Sequence, residues 1–286
     1  MSSREIIAIA ILLAAILGLL SRRAQGWLIG ALEKRTDRVW LIPLALTAIF
    51  AGAATVAGAF SWPLTLAVLA YTAAPVLCVA LNQQFLAILL LWLPLEFAAG
   101  ARLVPRPAHG FLHSVAYGIA ILLGLVLFLA YRPTPGLKYN LPKQSRDYWL
   151  PFAAFAVTAP VLAVVGIAIG FIPPPHLPTA TAARMTSAVG IIFAGTALPE
   201  EILFRSLIQN LLMQRLGSTT RILFLASFIF GCAHLDNGPQ PVPNWRYMIL
   251  ATIAGVAYGA VFQRASTVLS SATLHMLVDW TKHFFF

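Results

Sequence analysis

The chain has 286 residues, of which 60% are hydrophobic and only 10% are charged, and its mean hydropathy is +0.85. A soluble domain carries about 25% charged residues, so this composition excludes a protein that covers itself with polar surface in water. The net charge of +10 does not predict nucleic-acid binding, because Lys and Arg lie mostly in short connections between apolar runs, with no basic and aromatic module.

Apolar runs along the chain predict an all-α, multi-pass membrane protein. A run of about 18 or more apolar residues can cross the bilayer as a helix, and we expect a transmembrane bundle of about ten helices in the cell (inner or plasma) membrane. The first run has no small-x-small cleavage site, so it is interpreted as a retained helix and not a signal peptide. The predicted helix cores are 5–20, 39–60, 62–81, 84–99, 111–131, 148–172, 183–215, 219–235, 245–263 and 266–283.

A polar, Pro-rich segment at 132–147 is predicted to be a linker that divides these runs into two halves. Residues 1–131 are predicted to form N-terminal transmembrane helices of unknown role, and residues 148–286 a C-terminal helical core. The chain has no internal repeat, so an inverted-repeat transporter gains no support. In the ninth run, the spacing of Gly255 and Gly259 predicts a close helix-packing face.

Two adjacent carboxylates occur within the seventh apolar run, where charges are costly and usually functional. On a helix, Arg205 can pair with Glu201 four residues earlier, whereas Glu200 points about 100° away around the axis. Pro199 cannot donate a hydrogen bond to the carbonyl of Gly195, which opens the helix just before the pair. Glu200 is therefore the candidate general base for a water, and Glu201 the ion-paired support. The alternative is a solvated helix end with an ordinary ion pair.

The eighth and tenth runs each carry a histidine. His234 lies four residues after Phe230, and Asp279 four residues after His275, so each pair shares one helical face. Asp279 can accept a hydrogen bond from His275 and fix its tautomer; alternatively, it caps the last helix near water. A single histidine in an apolar run is typically a packing residue, but two histidines together with a glutamate pair favour a site.

Residue counts from the helix turns place three of these groups at similar heights. Glu201 lies 16 residues before the turn at 217–218 and His234 lies 16 residues after it, which puts both about 24 Å from that turn. His275 lies eleven residues after Arg264, about 16 Å from the same side. We therefore expect the three side chains to converge within the membrane.

These residues resemble the CAAX protease and bacteriocin-processing (CPBP) intramembrane proteases, which include the Ras-converting CAAX endopeptidases. The resemblance covers roughly residues 185–283. Three motifs carry it, namely Glu-Glu-x-x-x-Arg, Phe-x-x-x-His, and His followed four residues later by Asn or Asp. Their matches in this chain are Glu200, Glu201 and Arg205, then Phe230 and His234, then His275 and Asp279.

The resemblance implies an intramembrane endopeptidase with a conical active-site cavity in the C-terminal half, acting on a membrane-bound or lipid-anchored protein. It implies that Glu200 and His234 activate a water, and that His275 and Asp279 stabilise the oxyanion or orient the site. CAAX members commonly carry Asn at the last position, which can donate a hydrogen bond, whereas an ionised Asp279 cannot. Orienting His275 is therefore the preferred role for Asp279.

The residues do not decide whether the site uses a metal, and they leave two functions other than proteolysis open. Glu200, His234 and His275 are the ligands that zinc would take, although a glutamate-activated water that requires no cofactor is the preferred interpretation. A proton-coupled transporter would also bury carboxylates and histidines, but it predicts polar residues along several helices. A non-catalytic immunity or scaffold protein of the same family predicts a broken motif.

Overall fold

The computed structural model describes residues 2–96, 109–237 and 242–286, and these residues form helices and connecting segments without any strand. The chain divides into two compact units, Met1–Leu137 and Lys138–Phe286. The division falls within the polar segment at 132–147. Its apolar helices make the protein an integral membrane protein.

The N-terminal unit consists of six helices in its described part. They are α1 (Ser3–Gly18), α2 (Arg22–Glu33), α3 (Leu41–Val56, after a 3₁₀ turn at Thr36–Trp40), α4 (Trp62–Ala80), α5 (Gln84–Glu96) and α6 (His109–Val126, continued by a π-helical segment at Leu127–Tyr131). A capping box starts α1, since Ser2 Oγ accepts from Glu5 N and Glu5 Oε2 accepts from Ser2 N. Apolar runs do not predict α2, because it is short and carries charges at both ends.

Polar side chains within the N-terminal unit bind neighbouring helices. The hydroxyls of Thr47 and Thr72 lie 3.3 Å apart between α3 and α4. Tyr71 donates to the carbonyl of Leu91 at 2.7 Å, which joins α4 to α5. Such bonds satisfy polar groups that would otherwise face hydrocarbon.

The C-terminal unit contains five helical segments in its described part. They are α7 (Arg146–Ala168), α8 (Ala182–Leu216), α9 (Thr220–Cys232), α10 (Trp245–Arg264) and α11 (Val268–Phe285). Side-chain oxygens cap three of them: Thr219 accepts from Ile222 N at the start of α9, Asn244 from Tyr247 N at α10, and Thr267 from Leu269 N at α11.

Glycines let α9 and α10 approach closely. A Cβ on Gly255 would lie 3.1 Å from the Phe230 ring, and a Cβ on Gly259 would lie 2.5 Å from Leu223 Cδ1. A Cβ on Gly231, in α9, would lie 2.0 Å from Thr252 Oγ1. These distances confirm that Gly255 and Gly259 belong to a close packing face.

Six helices meet the length and apolarity that a membrane span requires, or seven if α1 and α2, bent by 87°, form one span; both counts refer to the described chain. The six are Thr36–Val56, Trp62–Ala80, Gly110–Tyr131, Arg146–Ala168, Ala182–Leu216 and Trp245–Arg264. This number is smaller than the expected ten or so. One reason is helix length: the 13 residues of α9 extend only about 20 Å, less than the roughly 30 Å hydrocarbon core.

Lys138 binds the turn between α10 and α11. Its Nζ donates to the carbonyl oxygens of Phe262, Gln263 and Ala265 at 2.6, 3.1 and 2.8 Å. These carbonyls belong to the end of α10 and its exit, where helical partners are missing. The main chain of Lys138 has a left-handed φ of 53°, and its carbonyl accepts from Val268 N at 2.9 Å.

Asp147, buried near the start of α7, binds the same turn from a second direction. Its Oδ1 accepts from Ser266 N at 2.8 Å, and its Oδ2 accepts from the Ser266 hydroxyl and from the backbone N–H groups of Lys143 and Gln144 at 2.9 and 3.0 Å. We call Lys138, Asp147 and these partners the clamp. The polar segment predicted as a linker therefore holds the turn that starts α11.

Candidate active site

The backbone of α8 departs from regular α-helix on both sides of the glutamate pair. Glu200 and Glu201 lie in the short α-helical segment Leu198–Glu201, between π-helical segments at Phe193–Ala197 and Ile202–Gln209. The first π-helical segment ends two residues before Pro199, which has no N–H to donate. Such interruptions are frequent at functional sites.

Glu201 is fully buried and binds two partners through its two oxygens. Arg205 Nε donates to Oε2 at 3.1 Å, which is the pair that the spacing predicts. His275 Nδ1 lies 3.2 Å from Oε1, a contact that the sequence does not predict. A carboxylate paired with a guanidinium only accepts hydrogen bonds, so His275 Nδ1 is the donor.

Arg205 is also fully buried, and further groups compensate its charge. Its Nη1 donates to Gln209 Oε1 at 3.4 Å, and Gln209 Nε2 donates to the Gly259 carbonyl at 3.2 Å. The guanidinium carbon lies 4.9 and 5.9 Å from the ring centroids of Phe230 and Tyr258. A chain of polar contacts thus runs from Glu201 to the backbone of α10.

The second ring nitrogen of His275 faces two more carboxylates. Its Nε2 lies 3.4 Å from Asp279 Oδ2 and 3.9 Å from Glu200 Oε2. The Glu200 and Asp279 side chains are 20% and 31% exposed, whereas Glu201 is not exposed at all. Tyr258 stacks on the imidazole with 4.5 Å between ring centroids. Glu200 and Asp279 are therefore the partly exposed carboxylates of this cluster.

His234 lies in the turn that follows α9, not on the helix itself. Its Nδ1 donates to the Phe230 carbonyl at 2.9 Å, so a neutral ring carries its lone pair on Nε2. The ring packs edge-on against Tyr247, with 4.5 Å between centroids. His234 thus keeps one nitrogen as a proton acceptor.

Two adjoining hollows open at this site. His234, His275 and Asp279 line the first, together with apolar side chains of α7 and α10 such as Leu162 and Leu250. The second, of about 540 Å³, shares Phe171, Ile172, Tyr247, Asp279, Lys282 and Phe286 with the first. Thr196, one helical turn before Glu200, also lines the second hollow.

All six predicted site residues thus lie in or beside one cluster. Glu200, Glu201, Arg205, His275 and Asp279 are joined by the contacts above, and His234 shares a hollow with His275 and Asp279. Sequence reasoning misses Gln209, Tyr247, Tyr258 and Lys282. Lys282 has a recognisable signal, because it lies seven residues after His275 on the same face of α11.

The proposed zinc ligands do not form a metal site as they stand. Among residues 2–96, 109–237 and 242–286, no three His, Cys, Asp or Glu side chains have the geometry of a metal-binding group. Nδ1 of His234 donates to a carbonyl and Nδ1 of His275 donates to Glu201, so only Nε2 of each ring could bind a metal. In this arrangement Glu200, His234 and His275 do not form the zinc site that their residue types allow.

Comparison with known proteins identifies the part of the chain that carries this cluster. Residues 182–281 match the family model described as type II CAAX prenyl endopeptidase Rce1-like. The match runs from the start of α8 into α11 and includes all six predicted site residues. It confirms, for this segment, the family resemblance that the three motifs indicate. No curated protein and no solved structure matches the chain.

Proposed function

We propose that this protein is a glutamate-type intramembrane endopeptidase that hydrolyses a peptide bond of a membrane-bound or lipid-anchored protein. The observation that carries the proposal is the buried histidine His275, with three carboxylates within 4 Å of its ring nitrogens, at the base of an open hollow. The family match supports peptide-bond hydrolysis. In this proposal the chain forms a transmembrane bundle of about ten helices in the cell membrane, in which short helices such as α9 enter without crossing, and the two hollows form one conical cavity.

Glu200 is the general base of the proposed reaction. It takes a proton from a water in the hollow, and the resulting hydroxide attacks the scissile carbonyl carbon. His234 Nε2 accepts the other hydrogen of that water and so orients it. Glu200 then gives its proton to the amide nitrogen, the carbon–nitrogen bond breaks, and the peptide with the new amino group leaves. A positioned base of this kind contributes about 10²- to 10⁴-fold to the rate.

His275 stabilises the oxyanion in the proposed reaction. Its Nδ1–H stays on Glu201, and its Nε2–H, which faces Asp279 in the free protein, donates to the oxygen on which negative charge develops once that oxygen takes the place of the Asp279 carboxylate. Glu201, Arg205 and Asp279 are then positioning residues that hold the imidazole. Removal of one oxyanion donor costs about 10²- to 10³-fold in rate.

Cleavage of a fluorescent, farnesylated peptide with a C-terminal CAAX sequence by the purified protein in nanodiscs tests this function. We expect Glu200→Gln to lower kcat/KM at least about 100-fold while the melting temperature stays the same. Glu33→Gln, at an exposed glutamate of α2, is the matched control and retains full activity. A Glu200→Gln protein that cleaves at the wild-type rate would show that Glu200 is not the base.

A second test needs no chosen peptide. The membrane proteomes of cells that contain the wild-type protein or Glu200→Ala are compared for a precursor with an uncut terminus. We expect such a precursor to accumulate only with Glu200→Ala. Identical proteomes, together with no peptide cleavage, would contradict the proposed function.

A further inference from the structure

Helix α2 differs in direction and length from the other helices of the N-terminal unit. It is bent by 87° from α1, and its 12 residues extend only about 18 Å, too short for a hydrocarbon core of roughly 30 Å. Helix α1 packs on α6, which is long enough to cross the bilayer. Since α2 turns from α1 by nearly a right angle, it runs along the membrane surface.

The two sides of α2 carry different residues. Its inner side packs on the end of α6 at Leu127–Tyr131, and Leu32 on this side is buried. Its outer side carries Arg22, Arg23 and Trp27, which are all exposed, and Trp27 is 76% exposed. Cations beside a protruding indole are typical of helices that lie in the headgroup layer of a membrane.

Cations outnumber acids in and around α2. Residues 22–38 include five Arg or Lys and two acids, which gives a net charge of +3. Arg35 is neutralised by Asp37, with Nη2 at 2.9 Å from Oδ2. In the part of the chain that the structure describes, no salt bridge joins Arg22, Arg23 or Arg38 to an acid. These three cations are therefore available to an anion from outside the protein.

An anionic lipid surface fits this arrangement. An excess of Lys and Arg marks the cytoplasmic end of a membrane protein, and the cytoplasmic leaflet carries lipids with negative headgroups. A guanidinium binds phosphate oxygens through two parallel hydrogen bonds, and an indole ring is stable at the level of the headgroups. Because α2 runs along that surface, lipid phosphates lie within reach of Arg22 and Arg23 without any partner protein.

We propose that α2 lies in the headgroup layer, where Arg22 and Arg23 bind the phosphates of anionic phospholipids and Trp27 anchors the helix. This inference goes beyond the proposed endopeptidase function and does not depend on it. In this arrangement α2 is a surface helix, and not the second half of a broken membrane span.

An environment-sensitive fluorophore on α2 tests the inference. It is attached to the whole chain through Gly26→Cys, after Cys78→Ala and Cys232→Ala, because nothing lies within 4 Å of a Cβ added at Gly26. We expect its emission to move to shorter wavelength when phosphatidylglycerol is added to phosphatidylcholine nanodiscs, since anionic headgroups draw α2 into the surface. High salt should reverse most of this shift. An emission that is the same in both lipids would contradict the inference.

Two changes separate the charges from the indole. Arg22→Gln combined with Arg23→Gln should abolish the shift with phosphatidylglycerol and leave the emission in phosphatidylcholine unchanged. Trp27→Ala should instead move the emission to longer wavelength in both lipids.

The matched control removes two arginines elsewhere. Arg215→Gln combined with Arg221→Gln changes two exposed arginines on either side of the turn at 217–218, so it lowers the net charge equally. We expect this control to keep the whole shift. An equal loss in both double variants would mean that only the total charge matters, and the inference would be wrong.

Native mass spectrometry of the detergent-solubilised protein measures the size of the effect and tests other occupants. We expect the change of Arg22 and Arg23 to weaken binding of the first phosphatidylglycerol about 10-fold or more, with phosphatidylcholine unaffected. Inorganic phosphate should compete no better than chloride at equal ionic strength. Stronger competition by phosphate, or a change in the number of chains per particle, would identify a free anion or a second copy as the occupant and overturn the inference.

Discussion

Two polar regions of the C-terminal unit hold buried or half-buried charged side chains, and they differ in the partners that those side chains have. In the clamp, Lys138 and Asp147 bind mostly backbone carbonyl and N–H groups. In the candidate site, Glu201, Arg205 and His275 bind one another. Burial of polar groups is thus not what distinguishes a site from a structural element.

The difference has a physical consequence for what each region can do. If a hydrogen bond of the clamp breaks, its backbone group has no other partner, and an unsatisfied group costs about 1–3 kcal/mol of stability. His275 instead faces Asp279 and Glu200, whose side chains are partly exposed, and a bound substrate can replace such contacts. The clamp is therefore suited to hold the turn between α10 and α11 in place. In the site, by contrast, His275 can exchange a carboxylate for a group of the substrate.

The largest change in stability is expected for Arg205→Met. It leaves the Glu201 carboxylate buried without its cation, which costs about 3–5 kcal/mol. Denaturant unfolding in nanodiscs measures the loss, and Glu201→Gln added to Arg205→Met should recover part of it. The control is Arg35→Met, which breaks the exposed pair of Arg35 and Asp37 and should leave stability unchanged. Equal effects of both changes would mean that the buried pair does not support the fold.

A smaller loss is expected for Asp147→Ala in the clamp. The change leaves the N–H groups of Lys143, Gln144 and Ser266 without their acceptor, and since these bonds are only part-buried, each costs about 1 kcal/mol, or about 3 kcal/mol in total. Thermal unfolding should detect this loss, while kcat/KM per folded molecule stays within about threefold, because no clamp residue touches the substrate. A large fall in activity at unchanged stability would mean that Asp147 acts in the reaction and not only in holding the turn.

The smallest effect tests the close packing of α9 on α10, the helix whose end the clamp binds. In Gly231→Ala, the new methyl group meets Thr252 Oγ1 at 2.0 Å and the Met248 carbonyl at 2.7 Å, which should cost about 1–3 kcal/mol. Gly190→Ala is the matched control, since nothing lies within 4 Å of its added Cβ. The control should gain stability, by about 0.5–1 kcal/mol. If Gly231→Ala left stability unchanged, the two helices would have to adjust to the added methyl group at little cost.

Local spacing accounts for the parts of the site that the sequence predicts. Glu201 and Arg205 are four residues apart on one helix, as are His275 and Asp279, and in both cases the predicted neighbours face each other. Helix geometry alone ensures such contacts. His234 is predicted less well, because it lies in a turn beyond α9, where the spacing of a helix no longer applies.

Contacts between distant segments could not be predicted in the same way. The bond between Glu201 and His275 joins residues 74 positions apart, and the stacking of Tyr258 on His275 depends on how α10 and α11 pack. The sequence likewise predicts only a polar linker at 132–147, because Pro and Lys residues indicate a break between helices and say nothing about which turn they bind.

By itself, the sequence determined that the chain is helical and apolar, and which side chains carry the chemistry, because hydropathy and helical periodicity act over a few neighbouring residues. Only the tertiary structure decided that Glu201 holds His275, that Lys138 and Asp147 hold the turn before α11, and that Lys282 stands at the hollow. These contacts depend on the packing of whole helices, whose relative positions are set by many weak interactions along their length.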